Sequence, residues 1–323
     1  MSQPAYPLRC QPHFRSYLWG GRQLASRLNK TIPSEGVWAE SWEIIDHSEH
    51  QSVVAGGPLD GKTLRQIASQ APEWLLGPGL NNLPLLLKYL DCQNVLSIQV
   101  HPNDDYARKM VPSDLGKTEA WYIVQRQPGA VLYAGLKAGV TSTQLQQAIA
   151  AGIVQECLHQ VQPEPGDCVF IPAGTVHALG AGLLVAEIQQ ASNTTFRLFD
   201  WNRTGPDGKP RPLHIQQALD VIDFESGPAR IQTVKPTSQS GRQNLVTCDK
   251  FLLDRISEAD SILLGDDNSF HFLTAPGGGV ILEGEQFREE LKVGQSILLP
   301  AALRHCTAKL EPNAVLLDMY LPT

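Results

Sequence analysis

One twelve-residue unit occurs twice in this chain and narrows what it can fold into. GDCVFIPAGTVH at 166–177 and GQSILLPAALRH at 294–305 carry Gly, Pro, Ala and His at identical spacing. Each copy reads as a turn glycine, a buried strand, a proline turn and a histidine, and a repeated supersecondary unit implies a repeated architecture. The fold expected from this is mainly β, two β-sandwich or jelly-roll barrels, with helical insertions in the first. A length of 323 residues accommodates about two domains. The segment SGPARIQTVKPTSQSGRQ at 226–243 is rich in Ser, Gly and Pro and lacks periodicity, which places the boundary there: residues 1–235 and residues 236–323.

Between the repeats the elements follow from pattern. VWAESWEIIDH (37–47) alternates apolar and polar residues and SVVAGG follows it, a pairing that predicts a hairpin. TLRQIASQAPEWLLG begins on a Thr cap and predicts one helix or two short ones interrupted at Pro72. LPLLLKYLDC predicts a buried strand in which Lys88 is the only charge before Asp91. Such a lysine ordinarily sits at a strand end and snorkels to solvent; the alternative is that it lines a cavity and meets an anion. Leu145, Ile149, Ile153 and Leu158 form a near-helical stripe, predicting a helical insertion. LLVAEIQQ and TTFRLFDW predict strands, the second with Arg197 at its centre, and LHIQQALDVIDF predicts a short helix.

Leu96 to Trp121 is the stretch that carries chemistry. Ser97, Gln99 and His101 alternate with Leu96, Ile98 and Val100, so the three polar side chains share one strand face. Beyond a loop, Lys117, Glu119 and Trp121 alternate again, and the proline turn of the first repeat aims His177 back toward the sheet. Gln99, His101, Glu119 and His177 are thus candidate ligands, and two nitrogens with two oxygens suit a divalent ion such as Zn²⁺ with room for substrate. His47, His50, His159 and His214 lack such patterned partners and read as ordinary core or surface residues. In the second barrel the strands SILLGDD and SFHFLTA offer His271 as the only obvious donor and the repeat keeps His305, which predicts no catalytic metal there.

Composition removes several classes of partner. The formal net charge is −7 with Lys and Arg scattered along the chain, so no basic stripe is available to neutralise phosphates of a nucleic acid. The longest apolar runs, LPLLL and GLLVA, are far too short to span a bilayer. The N-terminus lacks a signal peptide's apolar segment, and six cysteines without a CxxC pair read as reduced thiols. These features predict a cytoplasmic protein. Nothing in them separates a monomer from a dimer.

Taken together, LSIQVHPNDDYA, KTEAWYIV, PAGTVHALG and TTFRLFDW, with the WGG turn and AESWEI, resemble the class I mannose-6-phosphate isomerases in their short bacterial form, and the Gly-to-His unit is similar to the second cupin motif. The similarity covers most of residues 14 to 205 and extends more weakly to the end. It implies two cupin-like barrels, the first catalytic and metal-binding, and an aldose-ketose isomerase that interconverts mannose 6-phosphate and fructose 6-phosphate through an enediol. It further implies one Zn²⁺ per chain held by Gln99, His101, Glu119 and His177, with Arg197 as the active-site arginine. Lys88 and Lys117 match the family's lysines near the site, and Ser97 its serine two residues before the metal-binding Gln. On this reading Arg197 and Lys117 are catalytic and Ser97 and Lys88 bind the phosphosugar; the group that moves the proton is left open. A metal-dependent cupin dioxygenase and a non-catalytic sugar-binding cupin are the alternatives.

Overall fold

The computed structural model describes residues 5–110, 112–205 and 208–322, and these are mainly β with short helices. Eleven strands precede the predicted boundary: β1 (His13–Arg15), β2 (Glu40–Ile44), β3 (Leu85–Cys92), β4 (Ile98–Val100), β5 (Glu119–Arg126), β6 (Leu132–Leu136), β7 (Leu158–Val161), β8 (Cys168–Ile171), β9 (His177–Leu179), β10 (Leu183–Gln190) and β11 (Phe196–Phe199). They form a six-stranded sheet, β1-β2-β3-β10-β5-β8, and a five-stranded sheet, β11-β4-β9-β6-β7. Ten more follow: β12 (Lys235–Pro236), β13 (Arg242–Thr247), β14 (Leu252–Ile256), β15 (Ser261–Leu264), β16 (His271–Gly277), β17 (Val280–Gly284), β18 (Phe287–Leu291), β19 (Ser296–Leu299), β20 (Cys306–Leu310) and β21 (Val315–Tyr320). These make a six-stranded sheet, β12-β13-β14-β21-β16-β19, and a four-stranded sheet, β15-β20-β17-β18.

The two six-stranded sheets follow one pattern, and the sequence repeat explains its last step. β8 and β19 each close their sheet at the same end, and each is followed by the proline turn that carries the chain across to the opposite sheet, into β9 and β20. Gly166 and Gly294 enter the two units with φ of 95° and 79°, a left-handed conformation that favours glycine.

Alternation along the central strands decides which way each side chain points. Leu85, Leu87 and Tyr89 of β3, Ala120 and Tyr122 of β5, and Leu184, Ala186 and Ile188 of β10 turn outward. They pack with Leu253, Phe272, Leu298, Leu317 and Met319 of the second half, so the two six-stranded sheets share one core. Fully burying each large apolar side chain contributes about 1.5–3 kcal/mol. The opposite faces of the same strands give Leu90, Cys92, Trp121, Ile123, Leu183 and Val185 to a second core against the five-stranded sheet. The outer face of that smaller sheet is covered by the helices Ser142–Ala151 and Ile215–Val221.

Three local expectations change. The hairpin predicted over 37–57 survives only at its turn, where Asp46 bridges Gln51 and the Ser52 N–H donates to the Ile45 carbonyl: β2 pairs with β1 and β3, while 53–54 makes isolated bridges to Thr63 and Cys10. β3 outcompetes 51–54 because it offers β2 a long, wholly buried neighbour. The helical stripe ends at Ala151, short of Leu158, because Gly152 adopts φ 71° and caps the helix. Lys88 sits mid-strand and is buried at 6% exposure, so the cavity-lining alternative is the one observed.

Candidate active site

Two rows of side chains face each other inside the first sandwich. In the five-stranded sheet, Gln99 of β4 is the direct partner of His177 on β9 and of Arg197 on β11. In the six-stranded sheet, Glu187 of β10 pairs with Lys88 on β3 and Trp121 on β5. Directly opposed residues share a face, so each row presents three side chains to the gap. The gap is a cavity of about 270 Å³ lined also by Ser97, Lys117, Glu119, Tyr17, Trp19, Asn193, Arg211 and His214.

His101, Glu119 and His177 bring one donor atom each to within 4.8 Å of one another, all three residues being buried. His101 Nδ1 lies 2.9 Å from the Thr194 carbonyl and His177 Nδ1 lies 2.9 Å from the Thr175 carbonyl. Each ring therefore donates from Nδ1 and keeps a lone pair on Nε2, the tautomer that a metal ligand requires. His177 Nε2 is 3.4 Å from Glu119 Oε1, and His101 Nε2 is 3.5 Å from Glu119 Oε2. Gln99 borders this triad, its amide nitrogen 3.3 Å from His177 Nε2. Burial holds the His177 pKa down to about 3 and drives that of His101 well below its ordinary value, with Lys117 adding to both effects. Both rings are neutral near pH 7.

The donor set fits a divalent cation on a further observation. Glu119 Oε2 has no aligned hydrogen-bond donor although Lys117 Nζ stands 2.6 Å away, and the same ammonium is 3.0 Å from His101 Nε2. The lone pairs of the ligands thus converge on positive charge. Lys88 Nζ is 3.1 Å from Glu187 Oε1, which also lies 3.7 Å from Lys117 Nζ. Burial opposes the Lys88 charge, but Glu187, Glu40 and Glu119 outweigh it and hold the ammonium protonated; burial and Glu119 raise the Glu187 pKa. On the other wall Arg197 Nε donates to Ser97 Oγ at 3.2 Å and Nη1 donates to the Pro212 carbonyl at 3.0 Å, while Ser97 Oγ is 3.2 Å from Gln99 Oε1.

All eight residues singled out in the sequence therefore converge on this region: seven line the cavity and His101 lies behind them at 1% exposure. Glu187, Arg211, Trp19 and His214 line it too, and none of them stood out in the sequence as a site residue. The signal for Glu187 was present: along β10 it falls in phase with Leu183 and Val185, on the face that β3 and β5 turn inward. His214, read as an ordinary residue, accepts from the Arg197 backbone N–H through Nδ1 at 3.3 Å. Arg211 comes from an irregular loop, where it pairs with Asp200, and no periodicity could have placed it.

Buried His and Glu ligands on an antiparallel sandwich, opening into a cavity lined by Lys, Arg and Glu, define a cupin-like metalloenzyme site. The family model for the catalytic domain of type I phosphomannose isomerases matches residues 7–122. A mannose-6-phosphate isomerase of Bacillus subtilis is 36% identical over 300 residues, 92% of this chain and 94% of that one, and a probable mannose-6-phosphate isomerase of the same organism is 42% identical over 217 residues, 67% and 68%. The crystal structure of the mannose 6-phosphate isomerase from Bacillus subtilis superposes with a TM-score of 0.89 at 32% identity, covering 97% of this chain and 99% of that one. The chain belongs to the type I phosphomannose isomerases.

Proposed function

We propose that this chain interconverts mannose 6-phosphate and fructose 6-phosphate by moving a proton between C1 and C2 through an enediol, with one Zn²⁺ held by Gln99, His101, Glu119 and His177. The observation that carries this reading is the convergence of two Nε2 lone pairs and the Glu119 carboxylate at the base of a cavity rich in paired charges. Bound there, a divalent ion supplies Lewis-acid stabilisation to the oxygen charge that builds as the proton leaves carbon. The protein's own residues do the rest. Lys117, between Glu119 and Glu187, is placed to give or take a proton at a sugar oxygen. Arg197 reaches the cavity from the facing sheet, where its guanidinium orients the sugar and adds positive charge beside the enediolate.

Ser97 and Lys88 are the residues we assign to substrate binding, and Arg211 joins them at the phosphate end. Lys88 is tied to Glu187, so it acts on the sugar as half of an ion pair. Residues 1–235 form the catalytic unit and 236–323 a unit without catalytic metal, a division supported by β1–β11 and β12–β21 building separate sheets, with β12 (Lys235–Pro236) lying across the boundary itself. No helix among the described residues is long and apolar enough to cross a membrane, and the free cysteines fit a cytoplasmic setting. The test is turnover by the purified protein of mannose 6-phosphate against mannose. The phosphate supplies remote binding that aligns the reacting carbons, so kcat/KM should be far higher for the phosphosugar, and equal values would overturn the assignment.

A further inference from the structure

We infer that Asp114 is a positioning residue for the metal centre: its carboxylate fixes the 192–194 loop so that the Thr194 carbonyl holds His101 with the Nε2 lone pair aimed into the site. This rests on the metal centre proposed above and adds a residue to it. The two ligand histidines are oriented in different ways. His177 donates to the Thr175 carbonyl, two residues back in its own turn, so local backbone suffices. His101 donates to the carbonyl of Thr194, ninety-three positions away, in the connection between β10 and β11. No strand ladder covers Thr194, so something else has to keep that carbonyl in place.

Asp114 does so with one oxygen. Its Oδ2 accepts from Thr194 Oγ1 at 2.7 Å and from Ser192 Oγ at 2.9 Å, gripping the loop on both sides of Asn193. Its Oδ1 accepts from the Leu115 N–H at 2.8 Å and lies 3.5 Å from His47 Nε2, which immobilises the carboxylate itself. Burial alone would favour the protonated acid, but these donors outweigh it and hold the pKa well below the ordinary carboxylate range. Asp114 stands three residues before Lys117, so the loop that delivers Lys117 to the site also fixes the orientation of His101. A partner that orients a ligating histidine in this way acts on metal affinity.

The test compares Asp114→Ala, Asp114→Asn and the double variant Ser192→Ala/Thr194→Val, which removes the two hydroxyl donors and keeps the Thr194-position carbonyl. Zn²⁺ affinity is measured by competition with a chelator, and imidazole ¹⁵N shifts of the metal-free chain report the tautomer of each histidine. Asp114→Ala and the double variant should bind Zn²⁺ about 10–100-fold more weakly, with His101 passing into a tautomer mixture while His177 keeps its proton on Nδ1. Asp114→Asn, which keeps one acceptor oxygen, should fall between. Wild-type affinity and an unchanged His101 in folded Asp114→Ala would overturn the inference, and so would an equal disturbance of both histidines, which would signify general loosening. Should Asp114→Ala fail to fold, the double variant decides the matter by the same two readouts. A wild-type chain that binds Zn²⁺ yet leaves mannose 6-phosphate unchanged would sink the proposed reaction and not this inference; a wild-type His101 already mixed in tautomer would do the reverse.

Discussion

His101 and His177 show how much a single ring nitrogen decides. Each has Nδ1 committed to a backbone carbonyl and Nε2 directed at Glu119, so neither can be replaced by a residue that lacks the second nitrogen. His101→Ala and His177→Ala should each lose metal and turnover together, and elemental analysis checks this: full metal occupancy in either variant would remove that residue from the ligand set. Arg197 differs, since its partners are Ser97 Oγ and the Pro212 carbonyl and none of them belongs to the proposed ligand set. Arg197→Ala should therefore keep metal and thermal stability while kcat/KM falls by about two to four orders of magnitude; near-normal turnover would return the residue to a structural role. Lys88 and Glu187 are costlier to separate. Removing one member of a buried ion pair typically destabilises by about 3–5 kcal/mol, and both side chains here are under 8% exposed.

At the scale of elements, the alternation of Gln99 with Ile98 and Val100 was legible because a strand has period two; the proline turn predicts only that His177 is aimed back toward the sheet, and the structure adds that it pairs directly with Gln99. Glu187 was equally in phase but sits in LLVAEIQQ, an almost continuous apolar run that reads as core on both faces, so its phase alone does not mark it as a site residue and its register with Lys88 does. The hairpin over 37–57 is realised only at its turn for a related reason. Pattern identifies a strand but not its partner, and β3, thirty residues further on than 51–54, won the pairing. Arg211 and Asp114 lie in loops, where tertiary hydrogen bonds set the position and sequence spacing carries no signal. One loop position is constrained tightly enough to test. A Cβ on Gly116 would stand 2.5 Å from the Asp104 nitrogen and 2.6 Å from the Asn103 carbonyl carbon, neither of which is a flexible side chain. Gly116→Ala should destabilise by about 1–3 kcal/mol, as overpacking does, and should lower kcat because Lys117 follows directly. Urea unfolding and steady-state kinetics on the same preparation check both effects.

Across the whole molecule, the second sandwich preserves the framework of the first and fills its site with a closed polar network. By sheet position Asp318 stands where Glu187 does, Asp254 where Lys88 does and His271 where Glu119 does. His271 Nδ1 is 2.7 Å from Asp318 Oδ1, its Nε2 is 3.0 Å from Asp267 Oδ2, and Arg242 bridges Asp254 and Asp318. His305, the repeat's counterpart of His177, lies exposed beside Asp266, so His305→Gln should leave metal content and activity unchanged by elemental analysis and assay. Burial opposes protonation of His271, but Asp318 and Asp267 outweigh it and raise its pKa to about 9. A raised pKa means that the folded state holds this proton more tightly than the unfolded state. The stabilisation is complete below the unfolded value of about 6.5 and is lost as pH rises through about 9. Urea unfolding of wild type and His271→Gln across this range should show the wild-type advantage shrinking toward alkaline pH; a constant difference would contradict the protonated network. In the first sandwich, by contrast, the ligand set and the charged cavity are one site. The most direct test of that site is a coupled assay of the purified chain on mannose 6-phosphate, stripped by chelator and then resupplied with Zn²⁺. Fructose 6-phosphate formation should vanish on stripping and return with about one ion per chain, whereas full turnover by the stripped protein would contradict a metal centre at Gln99, His101, Glu119 and His177.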